Sequence, residues 1–269
     1  MKLDNIAWYL PAVLRIKYGA PDTHGWGPRL RARFGYSTPD DWYEAAVHSL
    51  IGSSTEWLDV GCGRSVFPFN RAGAKVLAQS CRLLVGIDPS DNVDENDIVH
   101  ERAKTTLEGY PGWRQFDLIT LRMVAEHLDD PEAAVMALAR LTRPGGLVLI
   151  YTVEKWSPVT IISSLTPVRV HHLLKRILWN TDERDTFPTV YRMNTRRALR
   201  RLFRKAGFDE EGFLRLDDCR SLSRWWATQA LELLIWKALR AVGLRYPESC
   251  ILASYRRDSG SAEAAAPRA

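Results

Sequence analysis

Residues 56–65 read EWLDVGCGRS, and residues 83–90 read LLVGIDPS. The first stretch is a short apolar run, Trp57-Leu58-Asp59-Val60, ending on the glycine turn Gly61-Cys62-Gly63; the second ends on an acid, Asp88. A strand that stops on glycines lets the backbone approach a ligand closely, because residues without a Cβ leave room and accept unusual backbone angles. An acid at the tip of the neighbouring strand can accept hydrogen bonds from both hydroxyls of a ribose. The pair reads as a nucleoside site at the carboxyl edge of a parallel sheet.

Small spacings narrow the nucleoside. The dinucleotide fingerprint G-x-G-x-x-G needs a glycine at position 66, where the chain has Val66, and Arg64-Ser65-Val66 cannot supply the Gly-Lys-Ser/Thr of a P-loop. What remains is D-V-G-C-G followed by G-I-D-P-S. On these residues the chain resembles the class I S-adenosylmethionine-dependent methyltransferases, of the bacterial small-molecule type, with Ser65 standing where many members carry a third glycine. A second match lies further on. FDLITLR (116–122) reads as a buried strand, followed by MVAEHLDDPEAAVMALARLTRPGG, with an E-H-L loop, an Asp130-Pro131 helix start, an amphipathic helix and a P-G-G turn into LVLIYTVE.

The resemblance implies S-adenosyl-L-methionine as cofactor and a doubly wound, Rossmann-like, seven-stranded, mainly parallel sheet whose last strand is antiparallel, with a helical leader and helical inserts. The alternation of apolar runs with helical segments independently argues for such an α/β layering. By the resemblance Asp88, with Pro89 after it, would hold the ribose hydroxyls. Gly61, Cys62 and Gly63 would make room for the cofactor, and Asp59 would orient its amino-acid portion. Glu101, at the end of a short strand Ile98-Val99-His100, would lie near the adenine, and Arg122 would either contact a carboxylate or brace the sheet. His127 would sit beside the reacting end as a general base or merely pin its loop. Tyr191 and Arg192, in FPTVYRMNT, are the substrate-side candidates.

The expected organisation is a leader over 1–51, a methyltransferase domain over 52–257 with inserts at 155–194 and 222–246, and a flexible tail over 258–269. Inserts of this length usually carry function. The first holds His171, His172, Lys175 and Arg176; adjacent histidines on a helix point about 100° apart and make no chelating pair. The second is helical over 222–242, apolar in nearly every direction and carrying Trp225, Trp226 and Trp236, as suits a buried helix or an interface. TRRALRRLFRKA (195–206) puts Arg196, Arg197, Arg200, Arg201, Arg204 and Lys205 on one half of a helix and Leu199, Leu202 and Phe203 on the other.

Composition bounds the rest. The 269 residues are 46% hydrophobic and 26% charged, ordinary globular material, and the net charge of +5 permits an anionic partner without demanding one. The four cysteines form no C-x-x-C pair and no metal spacing, which points to a reduced cytoplasmic setting without a metal. No uncharged apolar run reaches the roughly 18 residues of a spanning helix, and Asp4 and Pro11 argue against a signal peptide. The expected acceptor is a small-molecule or lipid-linked hydroxyl, with peripheral contact to the inner membrane face through 222–242 and 195–206. A nucleic-acid acceptor is supported by the arginine helix alone, since the N-P-P-Y-type motif is absent, and a catalytically silent scaffold is the reading from another class.

Overall fold

The computed structural model describes residues 3–20, 23–158, 160–161 and 189–262; His171, His172, Lys175, Arg176 and the end of the tail lie outside them. Seven strands form one sheet: β1 (Glu56–Val60), β2 (Leu83–Asp88), β3 (Glu101–Lys104), β4 (Phe116–Arg122), β5 (Thr142–Val153), β6 (Phe208–Asp217) and β7 (Ser249–Arg257). Their order is β3-β2-β1-β4-β5-β7-β6. The pairs from β3 to β5 are parallel, while β7 runs antiparallel to both β5 and β6. The reversal between β2-β1 and β4 leaves a crevice at the carboxyl edge of β1, where such sheets bind their ligands.

Period-two alternation sends successive side chains to opposite faces. Trp57, Leu149, Tyr151 and Leu252 pack on one side against α1 (Leu10–Tyr18), α3 (Pro39–Leu50) and α4 (Arg71–Ser80). Leu58, Val148, Ile150 and Tyr255 pack on the other against α5 (Pro131–Leu141) and α6 (Arg196–Lys205). Each large side chain so buried contributes about 1.5–3 kcal/mol relative to exposure. The leader shares the first of these cores. α3 starts on Thr38, whose hydroxyl accepts from Asp41 N (3.2 Å) while the Asp41 carboxylate accepts from Thr38 N (2.8 Å), a capping box with Pro39 at the first turn. Lys17 of α1 then reaches Asp41 (2.9 Å) and Glu44 (2.8 Å), fastening α1 to α3.

Three boundaries differ from what the sequence suggests, namely a helix directly after Gly63 to about Gln79, a sixth strand over FLRLDDC (213–219) and a third strand ending at Glu101. Pro68 falls outside α4, which starts at Arg71 on an Asn70 cap. β6 begins at Phe208, five residues before the apolar run FLRLDDC, because FDEEG pairs with β7 on the sheet's outer edge, where polar side chains keep water. On the opposite edge β3 begins at Glu101 instead of ending there, with Glu101 opposite Val85 and Lys104 opposite Asp88.

The second insert forms α7 (Trp226–Ala241). It seats Leu233 and Trp236 on Leu30 of α2 (Trp26–Phe34) and on Tyr36, and Glu232 is buried against Tyr246 (2.9 Å) and the amides of Ser221 and Leu222. The opposite side exposes Leu231, Leu234, Ile235 and Val242, so the helix is apolar on two faces of which only one is covered. No helix among the described residues is long and apolar enough to cross a membrane.

Candidate functional site

The turn after β1 is stapled to the end of β2. Gly61 N and Cys62 N both donate to the Ile87 carbonyl (2.8 and 3.1 Å), and Gly63 N donates to Asp88 Oδ2 (3.0 Å). Gly61 has φ +71°, and a Cβ there would meet Val124 Cγ2 at 2.4 Å; glycine is required on both counts. Gly63 has φ +46° and faces open space. Cys62 does not reach into that space: its buried sulfur packs over Gly86 of β2, where a Cβ would meet it at 2.7 Å, and burial pushes the thiol pKa up. Asn96, fully buried, closes the turn from beneath by donating to the Gly63 carbonyl (3.1 Å).

Asp88 is 7% exposed at the edge. Its other oxygen accepts from Ser90 N (2.9 Å) and Ser90 Oγ (2.5 Å), so the carboxylate is fixed by three donors from two directions. Pro89, which has no N–H, is exposed and lets the chain turn away. This arrangement fits the nucleoside half of S-adenosylmethionine: a rigid, charged acceptor beside a glycine whose missing side chain leaves the approach open.

Asp59 lies deeper, 2% exposed, and accepts from Thr120 Oγ1 (2.5 Å), which itself accepts from Trp57 Nε1 (2.7 Å). Burial raises Asp59 to about 7, against the Thr120 hydrogen bond and the Arg122 charge that both favour ionisation. The buried Tyr43 hydroxyl lies beside Asp59 and Thr120 without a hydrogen bond of good geometry. A buried acid and an orphaned hydroxyl at the end of β1 are what a polar ligand group would complete.

The raised Asp59 has a consequence for stability. From about pH 4, near the ordinary carboxylate value of 3.8, up to about 7, the unfolded chain has lost this proton while the folded chain keeps it. Stability due to Asp59 therefore falls across that window and levels off above it. Chemical denaturation of Asp59→Asn should gain on the parent as pH rises from 4 to 7; parallel pH curves for the two proteins would sink the assignment.

The loop after β4 forms the other wall. Met123 has φ +52° and Tyr191 φ +49°, the two non-glycine residues with positive φ among the described residues, and both belong to this wall. Met123 N donates to the Tyr151 carbonyl (2.7 Å). Glu126, of the E-H-L motif, is buried, accepts from Thr152 Oγ1 (2.7 Å), and offers its carbonyl to Val190 N (2.8 Å) and Tyr191 N (3.2 Å). Asn194 completes the lock by donating to Thr152 Oγ1 (2.7 Å). The chain leaving the first insert is thus held on the carboxyl edges of β4 and β5, which brings Tyr191 and Arg192 to the loop of His127. Arg192 is exposed and donates to the Asp129 carbonyl. His127 is half-buried, its amide donating to the Val124 carbonyl (2.9 Å).

Arg122, at the end of β4, is engaged by Asp40 of α3 (2.6 Å). Asp40 also takes Arg220, whose guanidinium forms a fork on Asp218 (2.6 Å to each oxygen). The bracing role is therefore occupied, and it ties the leader to the sheet edge. Glu101 is not brought to the site. It stands three residues short of the Asp88 level and pairs with Arg114 (2.7 Å), a correction that follows from the start of β3.

Sequence reasoning gives no site role to Ser90, Asn96, Asp40 or Arg220, and takes Glu126 only together with His127 as a pin for the loop. Ser90 and Glu126 stand within quoted motifs; Asn96 carries no local pattern, and Asp40 and Arg220 acquire meaning only through each other.

Comparison with known proteins adds three findings. A family model described as a methyltransferase domain matches residues 32–211. Ubiquinone biosynthesis O-methyltransferases are similar over part of the chain: that of Rhodopseudomonas palustris is 26% identical over 148 residues, covering 51% of this chain and 54% of that protein. That of Bordetella bronchiseptica is 28% identical over 155 residues, covering 54% and 60%. The chain spans about half the length of the curated relatives it matches. Among solved structures, the cyclopropane synthase MmaA2 of Mycobacterium tuberculosis superposes with a TM-score of 0.50 at 16% identity, covering 80% of this chain and 82% of that one, a likeness of fold.

Proposed function

Since this chain belongs to the methyltransferase domain family and is a class I S-adenosylmethionine-dependent methyltransferase, we propose that it methylates a hydroxyl oxygen of a small-molecule or lipid-linked acceptor. The observation that carries the cofactor half is the Asp88 carboxylate, held by Gly63 N and Ser90 at the carboxyl edge. The names of the similar ubiquinone biosynthesis O-methyltransferases support oxygen as the accepting atom.

Bound S-adenosylmethionine supplies an electrophilic methyl group on sulfur. The chain's task is alignment and exclusion of water, effects able to supply roughly 7–11 kcal/mol for well-oriented partners. Asp88 holds the ribose hydroxyls. Gly61 and Gly63 keep the approach open, and Asp59, with the Tyr43 hydroxyl, orients the amino-acid end directly or through water. Tyr191 and Arg192 position the acceptor against the β4 loop. His127 would be the group that takes up the proton of the acceptor's hydroxyl.

A lipid-linked acceptor is favoured by α7. Its uncovered face is aliphatic, Trp225 and Trp226 stand exposed at its start, and the acid within it, Glu232, is turned inward. Arg224, Lys237, Arg240 and Arg245 are exposed around the same helix, so its surface suits an anionic bilayer.

Transfer of label from methyl-labelled cofactor into a cell extract, followed by solvent partition, tests the reading. Counts are expected in the organic phase, with the protein co-sedimenting with anionic vesicles at low salt. Counts in nucleic acid, or no transfer to any fraction, would refute it in favour of a nucleic-acid enzyme or a silent scaffold.

A further inference from the structure

The basic helix divides its charges in a way its sequence does not disclose. At the two margins of the charged face, Arg196 is paired with Glu210 of β6 (2.7 Å) and Lys205 with Glu132 of α5 (3.2 Å). Between them Arg197, Arg200, Arg201 and Arg204 fall within about 100° of helix circumference. All four are exposed, and none forms an ion pair among the described residues. They are mutual neighbours at i+3 and i+4, so each repels the others and the bare helix is the weaker for it. A solvated helix face ordinarily mixes signs; this one has anchored its outer charges and left a block of a single sign.

That block faces a cleft of about 1120 Å³. Its lining also includes Lys155 and Trp156 just beyond β5, Tyr191, and Arg215 of β6. Glu154 is the one acid among the described lining residues, and Arg215 occupies it (2.8 Å). Tyr191 and Arg192, which line the cleft, are held to the loop after β4 by the Glu126 and Asp129 carbonyls. A guanidinium can present two N–H donors to one phosphate, and four of them stand within reach of one another on this face.

We infer that this cleft holds a phosphate or diphosphate group of the methyl acceptor. The inference rests on the acceptor reading above and sharpens it from a hydroxyl compound to a phosphorylated one, either soluble or carried on a lipid.

Calorimetric titration of the full chain with inorganic pyrophosphate tests it. Saturable one-to-one binding that weakens with salt is expected. Arg200→Gln with Arg204→Gln should lower the affinity about tenfold or more, since two charge-assisted contacts are lost. S-Adenosylhomocysteine, titrated into the same proteins, reports the cofactor site separately. Its affinity should be equal in parent and variant, which also shows the variant folded. If the parent fails to bind S-adenosylhomocysteine, the methyltransferase site fails on its own account; if it binds that ligand but pyrophosphate affinity is absent or unaltered in the variant, the cleft assignment is overturned. Displacement of pyrophosphate by vesicles carrying a polyprenyl diphosphate, and not by phosphatidylcholine vesicles, assigns a lipid source. Displacement by a soluble sugar phosphate assigns the free compound. A short RNA that displaces it more tightly than either overturns the acceptor assignment.

Discussion

Asp88→Ala should lower the affinity for S-adenosylmethionine by about 10²–10⁴-fold, because two hydrogen bonds from ribose hydroxyls to an ionised acceptor contribute roughly 1.5–3 kcal/mol each and every 1.4 kcal/mol is tenfold. The carboxylate is suited to that load by its preparation: Gly63 N on one oxygen and Ser90 N on the other keep it oriented before any ligand arrives. The same substitution also strands the Gly63 amide, at a cost of about 1–3 kcal/mol, so the variant should melt earlier as well. Ser90→Ala separates the two effects. It removes the Ser90 Oγ contact while leaving the carboxylate and its two backbone donors in place, and its affinity should stay within about tenfold of the parent, because the bond lost is internal to the protein and the acceptor for the ligand remains. Calorimetry at a temperature where all three proteins are folded measures this. Undiminished affinity in Asp88→Ala would overturn the ribose assignment.

What could be read in the chain, and what could not, follows the range of the interactions concerned. The inner strands declare themselves because burial on both faces demands continuous apolar runs, as in LLVGI (83–87) and LVLIY (147–151). The two edges do not. ERAK in β3 and FDEEG in β6 are strands by pairing alone, since an edge strand can keep charged side chains in water, and the apolar runs that suggest strands, from Ile98 and from Phe213, start three to five residues away. The cofactor turn was legible for the opposite reason: glycines and an acid at fixed spacing act locally. The ion cluster under the leader joins residues 180 apart in sequence, and no local pattern encodes it. The arginine helix lies between these cases. Its amphipathicity was plain, but which charges are already neutralised depends on Glu132 and Glu210, brought up by the packing of α5 and β6.

That ion cluster yields the largest expected change in stability. Asp40 is 3% exposed and receives two guanidinium groups, from Arg122 and Arg220; burial opposes its ionisation, but the two arginines prevail and hold it at about 2. Arg220 retains Asp218 when Asp40 is lost, whereas Arg122, deep at the end of β4, has Asp40 as its carboxylate partner. Breaking a buried pair from one side typically costs about 3–5 kcal/mol, because the remaining charge stays out of water without a counter-ion. Asp40→Leu should therefore unfold at much lower denaturant concentration, and Asp40→Leu with Arg122→Met should recover a large part of the loss, since removing both charges spares the stranded one. A double variant no more stable than Asp40→Leu alone would show that the pair is not what holds α3 to the sheet. The pH dependence has a definite sign. Folding depresses Asp40 below its ordinary value of 3.8, so its contribution is complete above that value and is lost as pH falls toward 2. Acid unfolding of the parent should steepen in that interval, and Asp40→Leu should lack the step. Because α3 carries Asp40 at one end and Tyr43 stacks on Tyr151 one turn later (5.3 Å), losing this anchor should loosen the wall over Asp59, lowering cofactor affinity even where the sheet stays folded.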